Sequence, residues 1–237
     1  MILIIAEPSD EAALWLYPRL EECTSGVVAI MTPTQLVCSR QIVHRLSDHG
    51  ASSRFVLANG EAIESTALSG VVNRLGTAPT LQLARASPRD RQYAQDEVHA
   101  FLLGWLASLE CPVVNRPDPT FLSGPWHSPL EALQLAALAG LPFASRCSAI
   151  DDMEQPFANH GPLRSHFVLD GQLVGPLVSF PMRDALLRFA ALWGGRLLQI
   201  DCCVVAGETA FQNATSFVDF RAGGDLLVRA LARSLRS

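Results

Sequence analysis

Residues 101–144 read FLLGWLASLECPVVNRPDPTFLSGPWHSPLEALQLAALAGLPFA, and the order of pieces in this stretch decides the fold. Its start closes a long amphipathic helix over 89–109. There Tyr93, Glu97, Val98, Phe101, Leu102, Trp105 and Leu109 fall largely on one stripe behind Ser87-Pro88. A short strand follows at 112–115. Residues 116–125 hold three prolines and a glycine and read as a linker, which places a domain boundary between 1–118 and 119–237. Ser128 then caps a helix over 128–139, with Pro129 suited to the first turn and Gly140 to the end.

Toward the N-terminus, residues 1–6 (MILIIA) read as a buried strand. Asp10 offers a cap, and Ala12, Leu14, Leu16, Tyr17 and Leu20 suit a helix before a second strand at 26–31. Strand, helix, strand points to a parallel α/β layer. Ala58-Asn59-Gly60 joins strands at 54–57 and 61–64 as a hairpin, because Asn-Gly supplies positive φ at little steric cost. A further strand spans 69–73. Beyond the linker, Asp170-Gly171-Gln172 joins strands at 166–169 and 173–178. A helix at 184–193 stops at Gly194-Gly195, strands at 197–205 and 209–220 flank Gly207, and a helix spans 224–235. Residues 151–163 are turn-rich and show no period. The expected fold class is α/β in two lobes, a parallel α/β layer followed by an α+β lobe with an antiparallel sheet.

Composition narrows the chemistry. Of 237 residues, 18 are basic and every one is arginine. The absence of lysine excludes a Schiff-base lysine, a Walker-type phosphate loop and a kinase's strand lysine. The net charge is −5 and the arginines are scattered, so nucleic acid is not an expected partner. Residues 1–6 are too short for a signal sequence and no apolar run reaches spanning length, so a cytoplasmic protein with no membrane contact is expected. The six cysteines form no C-x-x-C pair and are expected to be reduced and buried. Adjacent Cys202 and Cys203 on a strand point to opposite faces. His44 and His49 are five apart, which does not align them on a helix, and ordinary surface or core histidine is the better reading of the six.

The phrase VVNR occurs twice, at 71–74 and 113–116, each time ending a strand. Strand C-terminal ends line the ligand crevice of an open parallel sheet, which makes Asn73, Arg74, Asn115 and Arg116 candidate cleft-binding residues. Turn chemistry is the alternative, since Asn tolerates left-handed φ and Arg solvates a strand end. Trp126 and His127 are either a cleft rim or a cover between lobes.

In their order, these pieces resemble the ATP-grasp superfamily, especially the peptide-modifying carboxylate–amine ligases of the ribosomal-protein-glutamate-ligase and graspetide-maturase type. The opening ILIIAEPSDEAALWLYPRL is similar to that family's first strand and helix, and LANGEAIESTALSGVVNRLG to the hairpin and strand closing its first domain. The stretch at 101–144 resembles the passage into the ATP-binding region. FVLDGQLVG resembles the hairpin lining the nucleotide cleft, and GRLLQIDCCVVAGETAFQNATSF the terminal strands. The resemblance covers nearly the whole chain.

It implies a two-lobed ATP-grasp fold with ATP and magnesium as cofactors. It also exposes departures. The family neutralises nucleotide phosphates with two lysines; near Ser128-Pro129, where the first would fall, there is no cation. Residues 143–166 contain no glycine-rich loop and are short for the family's lid. Magnesium in the family is held by an Asp and a Glu-x-Asn. Asp201 matches the first position, but Gln212 and Asn213 stand at the second. Arg146 and Arg164 are the candidate nucleotide-binding cations, since guanidinium forks onto phosphate oxygens.

Three functional readings follow. A degenerate, non-catalytic ATP-grasp relative binds a peptide or partner enzyme in the interlobe cleft and needs no cofactor. Alternatively, an ATP-dependent carboxylate–amine ligase uses an arginine-based nucleotide site with Arg164, Asp201 and Asn213. A homo-oligomeric scaffold is the third, suggested by a mean hydropathy of +0.22.

Overall fold

In the computed structural model, the described residues are 1–48, 50–79, 85–142, 163–205 and 208–236. The candidate Arg146, together with Cys147, His49, His160 and most of the turn-rich stretch, lies outside them. Contacts divide the chain into two units, Met1–Pro125 with Val228–Ser237, and Trp126–Leu227. The division thus differs from a cut at 118 chiefly in the last ten residues. There Leu235 packs so closely on β6 (Gly70–Asn73) that a Cβ on Gly70 would lie 2.9 Å from its Cβ and carbonyl.

The first unit is built on a parallel sheet of order β2-β1-β6-β7. Its centre is β1 (Ile2–Ile5), every residue of which is buried, as suits a parallel strand covered on both faces. β2 (Val28–Met31) flanks it on one side, and β6 followed by β7 (Val113–Val114) on the other. Between β1 and β2 runs α1 (Glu11–Cys23), N-capped by Asp10, whose Oδ1 accepts from the Ala13 N–H. A second, antiparallel sheet contains β3 (Gln41–Ser47), β4 (Gly50–Val56) and β5 (Ala62–Glu64). The expected Asn-Gly hairpin is the β4–β5 turn.

α2 (Pro33–Val37) and β3 were not legible in the sequence. α2 is a single turn fixed by a Thr32–Gln35 capping box. α3 (Pro88–Ser108), N-capped by Ser87, covers the second sheet. Phe55 meets Trp105 edge-on at 4.8 Å between ring centroids, and one core joins Leu3, Ile5, Phe55, Ile63, Leu102 and Trp105.

The second unit is an antiparallel sheet of order β11-β10-β8-β9 with two helices on one face. Its strands are β8 (Arg164–Leu169), β9 (Gln172–Val174), β10 (Leu197–Val205) and β11 (Glu208–Thr215). The β8–β9 turn has φ +48° at Asp170 and +73° at Gly171, the handedness a two-residue hairpin favours. Arg196 closes over it with a bidentate pair to the Asp170 carboxylate. β9 ends at Val174 instead of 178, because Gly175-Pro176 breaks the ladder.

α4 (Pro129–Ala139) begins in a Ser128–Glu131 capping box and ends at Gly140 in the left-handed conformation, φ +78°. α5 (Phe180–Trp193) starts earlier than 184, with Pro181 in the first turn behind Ser179. Ala132, Ala136 and Ala139 of α4 pack with Ala185, Phe189 and Trp193 of α5 over Ile200 and Cys202. α6 (Phe220–Ser234) is kinked at Gly224, where φ is +57° and ψ −162°. No helix is long and apolar enough to cross a membrane among the described residues.

Candidate functional site

Strand alternation sorts β10 into two faces. Leu198, Ile200 and Cys202 enter the core beneath α4 and α5, which leaves Gln199 and Asp201 on the opposite face. Asp201 stands directly across from Ser165 of β8 and from Asn213 of β11. The register then shifts, so that Cys202 faces Phe211 and Gln212 becomes the extra residue of a β-bulge. Asp201, Gln212 and Asn213 are therefore brought together, with Ser165 and Gln199 completing a polar row.

Asp201 is only 7% exposed, and a buried carboxylate must be satisfied. Its Oδ1 accepts from the Ser165 hydroxyl at 2.7 Å and from Gln199 Nε2 at 2.9 Å. Gln199 Oε1 in turn accepts the Asp219 N–H at 2.8 Å. No cation pairs with Asp201 among the described residues. Gln212 is half-buried and Asn213 exposed, and neither side-chain amide has a partner among those residues.

The donor set does not fit a magnesium ion. That ion is small, hard and bound by carboxylate and phosphate oxygens in near-octahedral geometry. Here a single carboxylate has one oxygen already accepting two hydrogen bonds, and the other two side chains are neutral amides. Among the described residues no three of His, Cys, Asp and Glu form a metal-binding group.

Arg164 is exposed at the start of β8, across from Cys202. By alternation it belongs to the face opposite Ser165 and Asp201. His166 shares the Arg164 face, is 2% exposed, and has no partner for Nδ1 among the described residues. Burial, helped by the neighbouring Arg164 charge and opposed by Asp201, holds the imidazole below its ordinary pKa of 6.5. Burial likewise pushes the Cys202 thiol up to about 12, with the Asp201 and Cys203 charges adding to it, so this cysteine is an inert core residue. Cys23 and Cys38 correct the expectation of uniformly buried thiols, being exposed.

The two VVNR phrases lie side by side, with Val71 opposite Val113 and Val72 opposite Val114. Asn73 is 4% exposed, and its amide is fully engaged. Nδ2 donates to the carbonyls of Asn115 at 2.8 Å and Leu122 at 2.5 Å, while Oδ1 accepts the Leu75 N–H at 3.1 Å. Arg74 is also buried and forks onto both oxygens of Asp10, the α1 cap. Arg116 donates to the carbonyls of Leu106, Ala107, Leu109 and Cys111, closing the end of α3. Asn115 is 1% exposed. Gly124 lies against it with φ +103°, where a Cβ would come within 2.5 Å of the Asn115 Cβ. These four candidates thus tie strand ends, a loop and two helices together inside the first unit.

In the second unit, His127 meets Trp193 edge-on at 4.6 Å between centroids, and its Nε2 lies 3.0 Å from the Trp193 carbonyl oxygen. Trp126 is half-exposed. At Ser128, the hydroxyl accepts the Glu131 N–H, and Glu131 Oε2 accepts the Ser128 N–H at 2.7 Å. That backbone hydrogen bond, with the hydroxyl's, holds the Glu131 carboxyl below the usual range.

Sequence reasoning missed Ser165 and Gln199. Their signal is register, and two distant strands reveal it only when paired.

No family model matches this chain, and no curated protein matches it. Solved structures do. The macrocyclase MdnB from Microcystis aeruginosa MRC superposes with a TM-score of 0.74 at 14% identity, over 99% of this chain and 98% of that one. A RiPP-associated ATP-grasp ligase from Chryseobacterium gregarium, in complex with ADP and a leader and core peptide, gives 0.73 at 11%, over 99% and 95%. The ATP-grasp ligase PsnB, complexed with minimal precursor, Mg and ADP, gives 0.66 at 16%, over 99% and 96%. The chain has the fold of the ATP-grasp ligases.

Two predictions test these environments. Asn73→Leu leaves two buried carbonyls and one N–H without their partner, each worth about 1–3 kcal/mol, so urea unfolding should show a loss of about 3 kcal/mol or more. His166→Leu tests the buried imidazole. In the unfolded chain it takes up a proton near pH 6.5, whereas the folded chain takes it up only at lower pH. Its contribution is therefore complete above that value and is lost as pH falls toward the folded pKa. The wild type should lose more stability than the variant between about pH 7 and 5.

Proposed function

We propose that this chain is a peptide-binding protein on the ATP-grasp fold, acting in a peptide-modification pathway without phosphoryl transfer of its own. The observation that carries this reading is the Ser165–Asp201–Asn213 row with Gln212 on its bulge. Phosphoryl transfer rests on metal, positioning and neutralisation of phosphate charge. A lone carboxylate held by neutral donors gives a dication little to bind.

Two further features agree. The chain has no lysine, and the first turn of α4 closes on its own Glu131 carboxylate, which repels a phosphate from that helix N-terminus. The peptide half of the reading draws on the solved neighbours. They are a macrocyclase and ATP-grasp ligases, two of them complexed with a leader and core peptide or a minimal precursor.

Calorimetric titration with MgATP tests the nucleotide half: heats should match dilution, and saturable, magnesium-dependent binding in the micromolar range would overturn it. Random-peptide display against the immobilised chain tests the other half. Enrichment of a related set of sequences is expected, and its absence would contradict a peptide-binding role.

A further inference from the structure

The sheet of β3, β4 and β5 has two unlike faces. Its inner face carries Phe55 and Ile63 into the core, and His44 lies edge-on to Phe101 with its Nδ1 2.7 Å from the Ser53 hydroxyl. Against its outer face lies an open cavity of about 310 Å³ lined by Gln41, Val43, Arg45, Ser52, Ser53, Arg54 and Glu64. The register puts Val43 opposite Arg54, Arg45 opposite Ser52, and Arg54 opposite Glu64.

Charge on this face is not balanced. Arg54 pairs with Glu64 at 3.1 Å, and both are about half exposed. Arg45 has no hydrogen bond or ion pair among the described residues, and neither does the Ser52 hydroxyl across from it. Among the residues lining the cavity, two guanidiniums face one carboxylate, in a chain whose net charge is −5. The same strand is an edge. Among the described residues β3 is paired only with β4, so the backbone groups on its other side have no ladder partner.

We infer that an extended acidic peptide adds to β3 as a further strand and sets its carboxylates against Arg45. A strand laid along β3 presents every second side chain on the outer face, next to Val43 and Arg45. Carboxylates at that spacing meet the unpaired guanidinium, and Arg can fork onto both oxygens of one of them. Main-chain pairing supplies the generic part of the affinity and the carboxylate supplies the selectivity. This surface lies wholly within the first unit and involves no residue of the Asp201 row; it deepens the peptide half of the proposed function, and its failure leaves the nucleotide half untouched.

Fluorescence anisotropy with a fluorescein-labelled peptide of alternating Glu and Val tests it. The peptide should bind. Its Glu→Gln counterpart, and a version N-methylated at alternate residues, should each bind about tenfold more weakly or worse. Arg45→Glu should weaken the Glu peptide by about tenfold, and so should Ser52→Glu, which places a competing carboxylate across from Arg45 should the first variant fail to fold. Three results would overturn the inference: equal binding of the Glu and Gln peptides, indifference to both substitutions in folded protein, or binding of free glutarate as tight as that of the peptide.

Discussion

A carboxylate buried in an antiparallel sheet needs donors, and at Asp201 the donors are neutral. The Ser165 hydroxyl crosses from β8, Gln199 reaches along β10, and the same Gln199 anchors the Asp219 N–H just before α6. One carboxylate thereby couples two strands and the entry to the last helix. The bulge that begins beside it turns Gln212 out of the ladder and sets the end of the row at Asn213. Asp201 is thus satisfied from within the protein by neutral donors to one of its two oxygens.

Arginine performs the structural tasks that two kinds of cation usually divide. Arg116 closes α3 by donating to four carbonyls, Arg188 closes α4 through the Ala139 carbonyl, and Arg236 reaches the Cys23 carbonyl at the end of α1. A planar fork satisfies several helix-end acceptors at once, which a single ammonium does less well. Arg74 and Arg196 use the same fork on Asp10 and Asp170. All five of these guanidiniums are therefore bound to the protein itself. Arg45 on the outer sheet face, like Arg40, Arg164 and Arg183, has no such partner among the described residues.

The fold was legible where local chemistry agrees with tertiary demand. Asn-Gly and Asp-Gly marked the β4–β5 and β8–β9 hairpins, the Ser-Pro and Gly ends marked α4, and the unbroken apolar run at 2–5 marked a strand buried on both faces. β3 escaped notice because QIVHRLS puts Val43 on the outer face and His44 on the inner one, blurring the alternation. At the candidate site, Asp201, Gln212 and Asn213 were named from the resemblance to a family motif, and the strand register sets them side by side. Ser165 and Gln199 were not, since their roles depend on pairings across 34 and 36 residues that no local pattern encodes. The VVNR pair was correctly placed at strand ends. Turn chemistry also accounts for much of what those residues do: Asn73 satisfies a loop, and Arg116 satisfies a helix end.

The central claim is that an ATP-grasp fold persists here around a site built for hydrogen bonds instead of a hard cation. Electron paramagnetic resonance of Mn²⁺, a magnesium surrogate, reads this directly, because the free ion's six-line spectrum collapses on binding. The wild-type chain should leave that spectrum at full intensity, and Gln212→Glu, which adds a second carboxylate beside Asp201, should diminish it. Loss of the signal with the wild type, restored by Asp201→Asn, would contradict the account.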